Sequence, residues 1–193
     1  MKILICGDSF SVNSTDGWTA MLASNYTITN LSQAGCSEYR ILKQLQSVTL
    51  ANYDLIIINH TSPYRVYIKE HPIHKKDKMH HSCDLLYNDV LGHSSNKTMS
   101  IAKGYFETIF DIDHAKDIYQ LLLEKIDQLT SDSNTIHCCH LEWDNLYEFK
   151  EFIYFNSVWK QHPGNTNHYS LIGNQTVYNI LKSKIIKIYN RTE

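Results

Sequence analysis

One hydroxyl near the start of the chain is set up for chemistry. The run Ile3-Leu4-Ile5-Cys6-Gly7-Asp8-Ser9-Phe10-Ser11 is a short apolar segment that stops at Gly-Asp-Ser, residue types that favour turns. It reads as a buried strand whose end presents Ser9. A serine hydroxyl attacks a carbonyl only once a base takes its proton, so its natural partner is a histidine. The chain holds eleven histidines, and composition cannot choose among them. Position can. In an α/β domain a loop just before the last helix lies at the edge where the first strand ends, and His168 sits in such a loop.

The elements that would position these two residues follow from hydrophobic periodicity. Gly17 to Ala23 has the spacing of a short helix, and Tyr26 to Leu31 alternates as a strand. After the small-residue turn Ser32-Gln33-Ala34-Gly35-Cys36-Ser37, a helix capped by Ser37 is expected to run to about Val48. Asp54-Leu55-Ile56-Ile57-Ile58-Asn59 is apolar on both faces, the pattern of a central parallel strand. Ala115 to Leu129 is an amphipathic helix, Thr135 to Leu141 a fourth strand, and Ser170 to Ile188 the closing helix. Tyr147 to Trp159 is aromatic and expected to be partly helical, with most of its rings in the core. Alternating strands and helices predict an α/β fold, a three-layer flavodoxin-like sandwich with a mostly parallel sheet. Ligands bind at the carboxyl ends of such strands, where Ser9, Gly35 and Asn59 fall. A single domain over 1–193 is expected, with an insertion at about 61–113 that holds some helix between Cys83 and Leu91.

Gly7-Asp8-Ser9-Phe10-Ser11 resembles the first block of the SGNH (GDSL) hydrolases, in which the serine is the nucleophile and its backbone N–H helps form the oxyanion hole. Leu31 to Ser37 is similar to the second block, whose glycine, here Gly35, donates another backbone N–H. Asn165-Thr166-Asn167-His168, followed by Gly173-Asn174, resembles the block that supplies the base. The resemblance implies a serine esterase with Ser9 and His168 as catalytic residues and Ser9, Gly35 and Asn59 around the oxyanion. It also implies a small-molecule or carbohydrate ester, such as an O-acetylated sugar, as substrate, with no cofactor. Asp8 is expected to shape the turn rather than to exchange protons.

Two departures from the family bear on mechanism. The Gly-x-Asn-Asp block is replaced by Asn59-His60-Thr61-Ser62-Pro63-Tyr64-Arg65, so Asn59, Thr61 or Ser62 would complete the oxyanion hole. Thr61 and Arg65 are candidates for contact with substrate, with Tyr64 and Tyr67 beside them. Asn165 stands where the family has the aspartate that orients the histidine, a change that costs roughly 10⁴ in turnover in a Ser-His-Asp triad. A Ser-His dyad, a backbone carbonyl, or a carboxylate such as Glu142 or Asp144 would be the substitutes. The rival readings are a binding or assembly protein that kept the fold with impaired catalysis, and an O-acyltransferase.

Composition narrows the classes further. A net charge of −2 and a pI near 6.6 imply no attraction to nucleic acid or anionic membranes. The first residues lack a signal-peptide pattern, and no stretch approaches the ~20 apolar residues of a membrane helix, so a cytoplasmic protein is expected. The five cysteines lack metal-ligand spacing and are expected to be reduced and mostly buried. His71, His74, His80 and His81, interleaved with Lys75, Lys76 and Lys78, read as a solvated loop, and no metal is expected. His137, Cys138, Cys139 and His140 alternate between two faces of a strand rather than converging. Oligomeric state is not encoded in any visible pattern.

Overall fold

The computed structural model describes residues 1–142, 147–164 and 168–190. Five strands form one sheet: β1 (Lys2–Gly7), β2 (Thr27–Asn30), β3 (Leu55–His60), β4 (Thr135–Cys139) and β5 (Phe152–Tyr154). All neighbours run parallel, in the order β2-β1-β3-β4-β5. This is the flavodoxin-like order, whose direction of winding reverses between β1 and β3 and leaves a crevice beyond their carboxyl ends.

Residues i and i+2 of a strand share a face, and the strands feed two cores accordingly. Ile3 and Ile5 of β1, Leu55 and Ile57 of β3, and Ile136 and Cys138 of β4 pack under helices α1 (Trp18–Ala23) and α7 (Leu171–Tyr189), with Trp18, Leu22, Val177, Leu181 and Ile185 opposite them. Leu4, Cys6, Ile56 and Ile58 face the other way, against Ile41, Leu42 and Leu45 of α2 (Glu38–Gln46) and Ile126 of α5 (Ile112–Thr130). The central strands are sealed on both faces, as the uninterrupted apolar run of β3 requires.

The segment 61–113 carries its own small core. Leu85, Val90, Met99 and Ala102 are buried together, beneath α3 (Tyr87–Gly92) and α4 (Lys97–Thr108). Val66 and Leu85 exchange backbone hydrogen bonds of 2.9 Å in an isolated antiparallel bridge. Buried Asp84 fastens this unit to the sheet layer: its carboxylate accepts from Arg40 Nε (2.9 Å) and from the backbone of Ser37 (2.8 Å) and Ile68 (3.1 Å).

The structure refines three local expectations. The aromatic stretch after Tyr147 contains edge strand β5 before the short helix α6 (Asn156–Gln161). The segment 61–113 holds a second helix, α4, beyond the one expected near Cys83 to Leu91. Ser37 stands at the N-cap of α2, yet among the described residues its buried hydroxyl bonds nothing: Arg40 N–H donates to Ser37 O at 3.0 Å, and Asp84 accepts from Ser37's own N–H. The five cysteines are free and buried. Among the described residues, no helix is long and apolar enough to cross a membrane.

Candidate active site

The turn after β1 is built around two side chains that never reach solvent. Gly7 allows β3 to approach: a Cβ there would lie 2.7 Å from Asn59 Cβ and 2.4 Å from Ser11 Oγ. Asp8, fully buried, accepts from Phe10 N–H (3.0 Å), Asn59 Nδ2 (2.6 Å) and Thr61 Oγ1 (3.1 Å). Burial pushes its pKa up, while the Arg65 guanidinium, the Phe10 and Thr61 donors and His168 pull it down. The turn-shaping role expected of Asp8 is visible in these bonds. Ser9, next in the chain, is partly exposed.

The loop after β2 is stitched to the same turn. Gln33 N–H and Cys36 Sγ both donate to Gly7 O, at 3.0 and 3.3 Å, and Gln44 Nε2 adds a third bond at 3.2 Å. Gly35 has φ of +72°, the left-handed region that favours glycine, and a Cβ on it would lie 2.6 Å from Cys83 Cβ. Among the described residues, neither Ser9 N–H nor Gly35 N–H donates to a protein acceptor. Two unspent backbone donors on adjoining turns beside a hydroxyl are what a developing oxyanion would use.

His168 comes to this edge from the other end of the chain. Its ring centroid is 5.3 Å from that of Phe10, the residue after Ser9. Phe10 also stacks on His140 (5.0 Å, 2° between planes), and His140 bonds through Nδ1 to the Tyr169 hydroxyl. His140 is completely buried; desolvation, with His168 adding to it, lowers its pKa to about 3, and its Nε2 has no hydrogen-bond partner among the described residues. The terminal block is further anchored by Asn174, whose Oδ1 accepts from Trp18 N–H at 3.2 Å, while Trp18 Nε1 donates to Phe10 O at 2.8 Å. The far end of the chain is thereby bonded to the Ser9 turn through α1.

Other expected site residues take different places. Asn59, expected at the oxyanion hole, is wholly buried and donates from Nδ2 to Asp8, as a strut under the turn. Thr61, expected to contact substrate, is also buried and donates its hydroxyl to Asp8. Arg65 is partly exposed and donates from Nε to Thr61 Oγ1 and from Nη1 to Gly35 O, both at 3.1 Å. Glu142 is exposed and pairs with Lys160, and Asn165 and Asp144 lie outside the described residues.

Arg65 also borders a groove of about 570 Å³, lined by Tyr39, Tyr67, Tyr105, Phe110 and Tyr119 among others. Ser62 and Tyr67, also singled out in the sequence, line the same groove. The double role of Arg65, along with the aromatic neighbourhood of His140, was invisible in the sequence. The single available signal for Arg65 was its position five residues past the end of β3.

No protein-family model and no curated protein sequence matches the chain. Among solved structures, it is similar to a family two carbohydrate esterase from Clostridium thermocellum in complex with cellohexaose, with 14% identity and a TM-score of 0.50 over 98% of this chain and 64% of that one. It also aligns with a GDSL-like lipase from Parabacteroides merdae, at 15% identity and a TM-score of 0.43 over 92% of each chain. A third alignment is with an extracellular lipase from Streptomyces rimosus, at 14% identity and a TM-score of 0.36 over 93% of this chain and 70% of that one. The chain therefore spans less than two-thirds of the carbohydrate esterase. At this identity the likeness is one of fold: an all-parallel five-stranded α/β sheet with helices on both sides.

Proposed function

We propose that this chain is a serine ester hydrolase of the SGNH type, acting on a small acyl ester, with O-acetylated carbohydrate as the substrate class to test first. The observation that carries the reading is the arrangement around Ser9. Its turn and that of Gly35 each hold an unspent N–H, and His168 is brought beside Phe10 from the opposite end of the chain. The carbohydrate class is suggested by the esterase solved with cellohexaose, whose fold this chain shares.

In this reading Ser9 Oγ attacks the ester carbonyl as His168 accepts its proton, and the N–H groups of Ser9 and Gly35 hold the oxyanion. The tetrahedral intermediate collapses, the C–O bond to the alcohol breaks, and His168 protonates the departing alcohol. Water, deprotonated by His168, then attacks the acyl-serine and releases the acid. With Asn59 bonded under the turn, a third oxyanion donor would have to come from Ser62 or from Arg65 at the groove. The orienting role for Asn165 rests on the sequence resemblance.

Turnover of an aryl acetate by the purified protein, and its loss in Ser9→Ala, tests the assignment. Equal rates in the two proteins would overturn it.

A further inference from the structure

The segment expected to be a solvated loop folds so that metal-competent side chains meet. The ligand atoms of His71, His74 and Cys83 lie within 4.8 Å of one another, as do those of His74, Asp89 and His93, with His74 common to both groups. The carboxylate of Asp89 is the hub: His71 Nε2 is 3.2 Å from Oδ2, and His74 Nε2 and His93 Nδ1 are 3.3 and 3.2 Å from Oδ1. His71 is completely buried, and among the described residues its Nε2 makes no hydrogen bond, although Asp89 Oδ2 lies 3.2 Å away. A buried ring nitrogen aimed into a cluster of ligands without a satisfied bond becomes available to an ion once its proton moves to Nδ1.

From these contacts we infer a site for a divalent transition ion of the Zn²⁺ type, held by His74, Asp89 and His93, with His71, 3.2 Å from Asp89, placed to enter as a fourth ligand and Cys83 at its edge. Metal–nitrogen bonds of about 2.0–2.1 Å place tetrahedral ligand atoms roughly 3.4 Å apart, close to the 3.3 and 3.2 Å from Asp89 Oδ1 to the His74 and His93 nitrogens. Imidazole and carboxylate together suit Zn²⁺ rather than Mg²⁺ or Ca²⁺, which prefer oxygen alone. Lys75, Lys76 and Lys78 are exposed, and Lys75 faces Glu70 at 3.8 Å, so solvent screens their charge from the cluster. Ligation through His71 Nε2 moves the ring proton to Nδ1, where Ile73 and His74 N–H now donate at 3.3 and 3.2 Å. Those two long bonds are given up on binding.

The place of the site gives the ion a structural role. Cys83 packs against Gly35, and Asp84 N–H donates to Gly35 O at 2.9 Å. An ion at His71, His74, Asp89 and His93 fastens the insertion where it presses on the loop that carries the Gly35 N–H. This role stands whether or not Ser9 is a nucleophile.

The test is titration of the full-length, chelator-treated protein with Zn²⁺, followed by calorimetry and by native mass spectrometry, with melting temperature as a second readout. One Zn²⁺ per chain is expected, with a Kd below about 1 μM and a higher melting temperature. His74→Ala and His93→Ala should each weaken binding on the order of 100-fold or more, while the exposed His81→Ala should not. The side chains of His74 and His93 are 26% and 40% exposed, so both variants should fold, which circular dichroism checks. A Kd weaker than about 100 μM, or binding that survives both ligand substitutions, would show that Asp89 merely accepts from three rings and would overturn the site.

Discussion

Asn59 and Asp8 are joined inside the protein by a 2.6 Å hydrogen bond between two side chains with no exposed surface. That bond ties the end of β3 to the turn after β1, the two strands that flank the crevice. The geometry of Ser9 is thus inherited from a buried carboxylate one residue before it. Replacing Asn59 with Ala removes a donor to a buried carboxyl group and leaves a void. The expected loss is about 2 to 4 kcal/mol in urea unfolding, with a fall in activity. A change within a few tenths of a kcal/mol would show that the strut is dispensable.

Gly35 is the position at which stability and activity should fail together. A Cβ there meets Cys83, and the backbone is already left-handed. Gly35→Ala should cost about 1–2 kcal/mol from the dihedral alone, with more from the overlap. If its N–H is an oxyanion donor, the accompanying tilt should lower kcat by up to roughly 10² to 10³ with little change in KM. Steady-state kinetics on the folded variant reads this out; an unchanged kcat would remove Gly35 from the mechanism.

Arg65 links Thr61, the Gly35 carbonyl and the aromatic groove through one planar guanidinium. A lysine keeps the charge but cannot span both acceptors. Arg65→Lys should therefore lower kcat/KM by about 10- to 100-fold through misplacement of the Gly35 loop, with a melting temperature close to that of the parent. A variant as active as the parent would leave Arg65 as a groove residue only.

Acid should destabilise the fold through buried histidines. Burial lowers His137 to about 2, with His60 stacked beside it and Asp127 3.9 Å away, and lowers His140 to about 3, with Tyr169 and His168 as neighbours. Between these values and the unfolded value near 6.5, the unfolded chain binds protons that the native chain refuses, so stability falls as pH falls. Each group contributes about 1.4 kcal/mol per pH unit in that window. His140→Phe should flatten the stability profile between pH 6 and 4 by that amount, measured by urea midpoints. Parallel profiles for the two proteins would contradict the burial argument.

The parts of this molecule that are legible in its sequence are those with strong periodicity. The apolar runs of β1 and β3 and the stripes of α5 and α7 define the layered fold and put Ser9, Gly35 and His168 at one edge. Edge strand β5 is three residues of an aromatic segment with no alternation to reveal it. Helix α4 is masked because its apolar residues face both ways: Met99 is buried while Ile101 is 66% exposed. The bond from Asn59 to Asp8, and the convergence of His71, His74, Asp89 and His93, are tertiary events between segments with no common spacing. The same holds for His140, whose neighbours Phe10, Phe155 and Tyr169 come from three separate segments.

The central claim is that Ser9 is an activated nucleophile, and covalent labelling tests it most directly. Incubation with a fluorophosphonate, read by intact and peptide mass spectrometry, should give one adduct per chain, on Ser9. The adduct should be absent from Ser9→Ala and form far more slowly in His168→Ala. No adduct on the folded parent protein, or equal labelling of the parent and Ser9→Ala, would contradict the account.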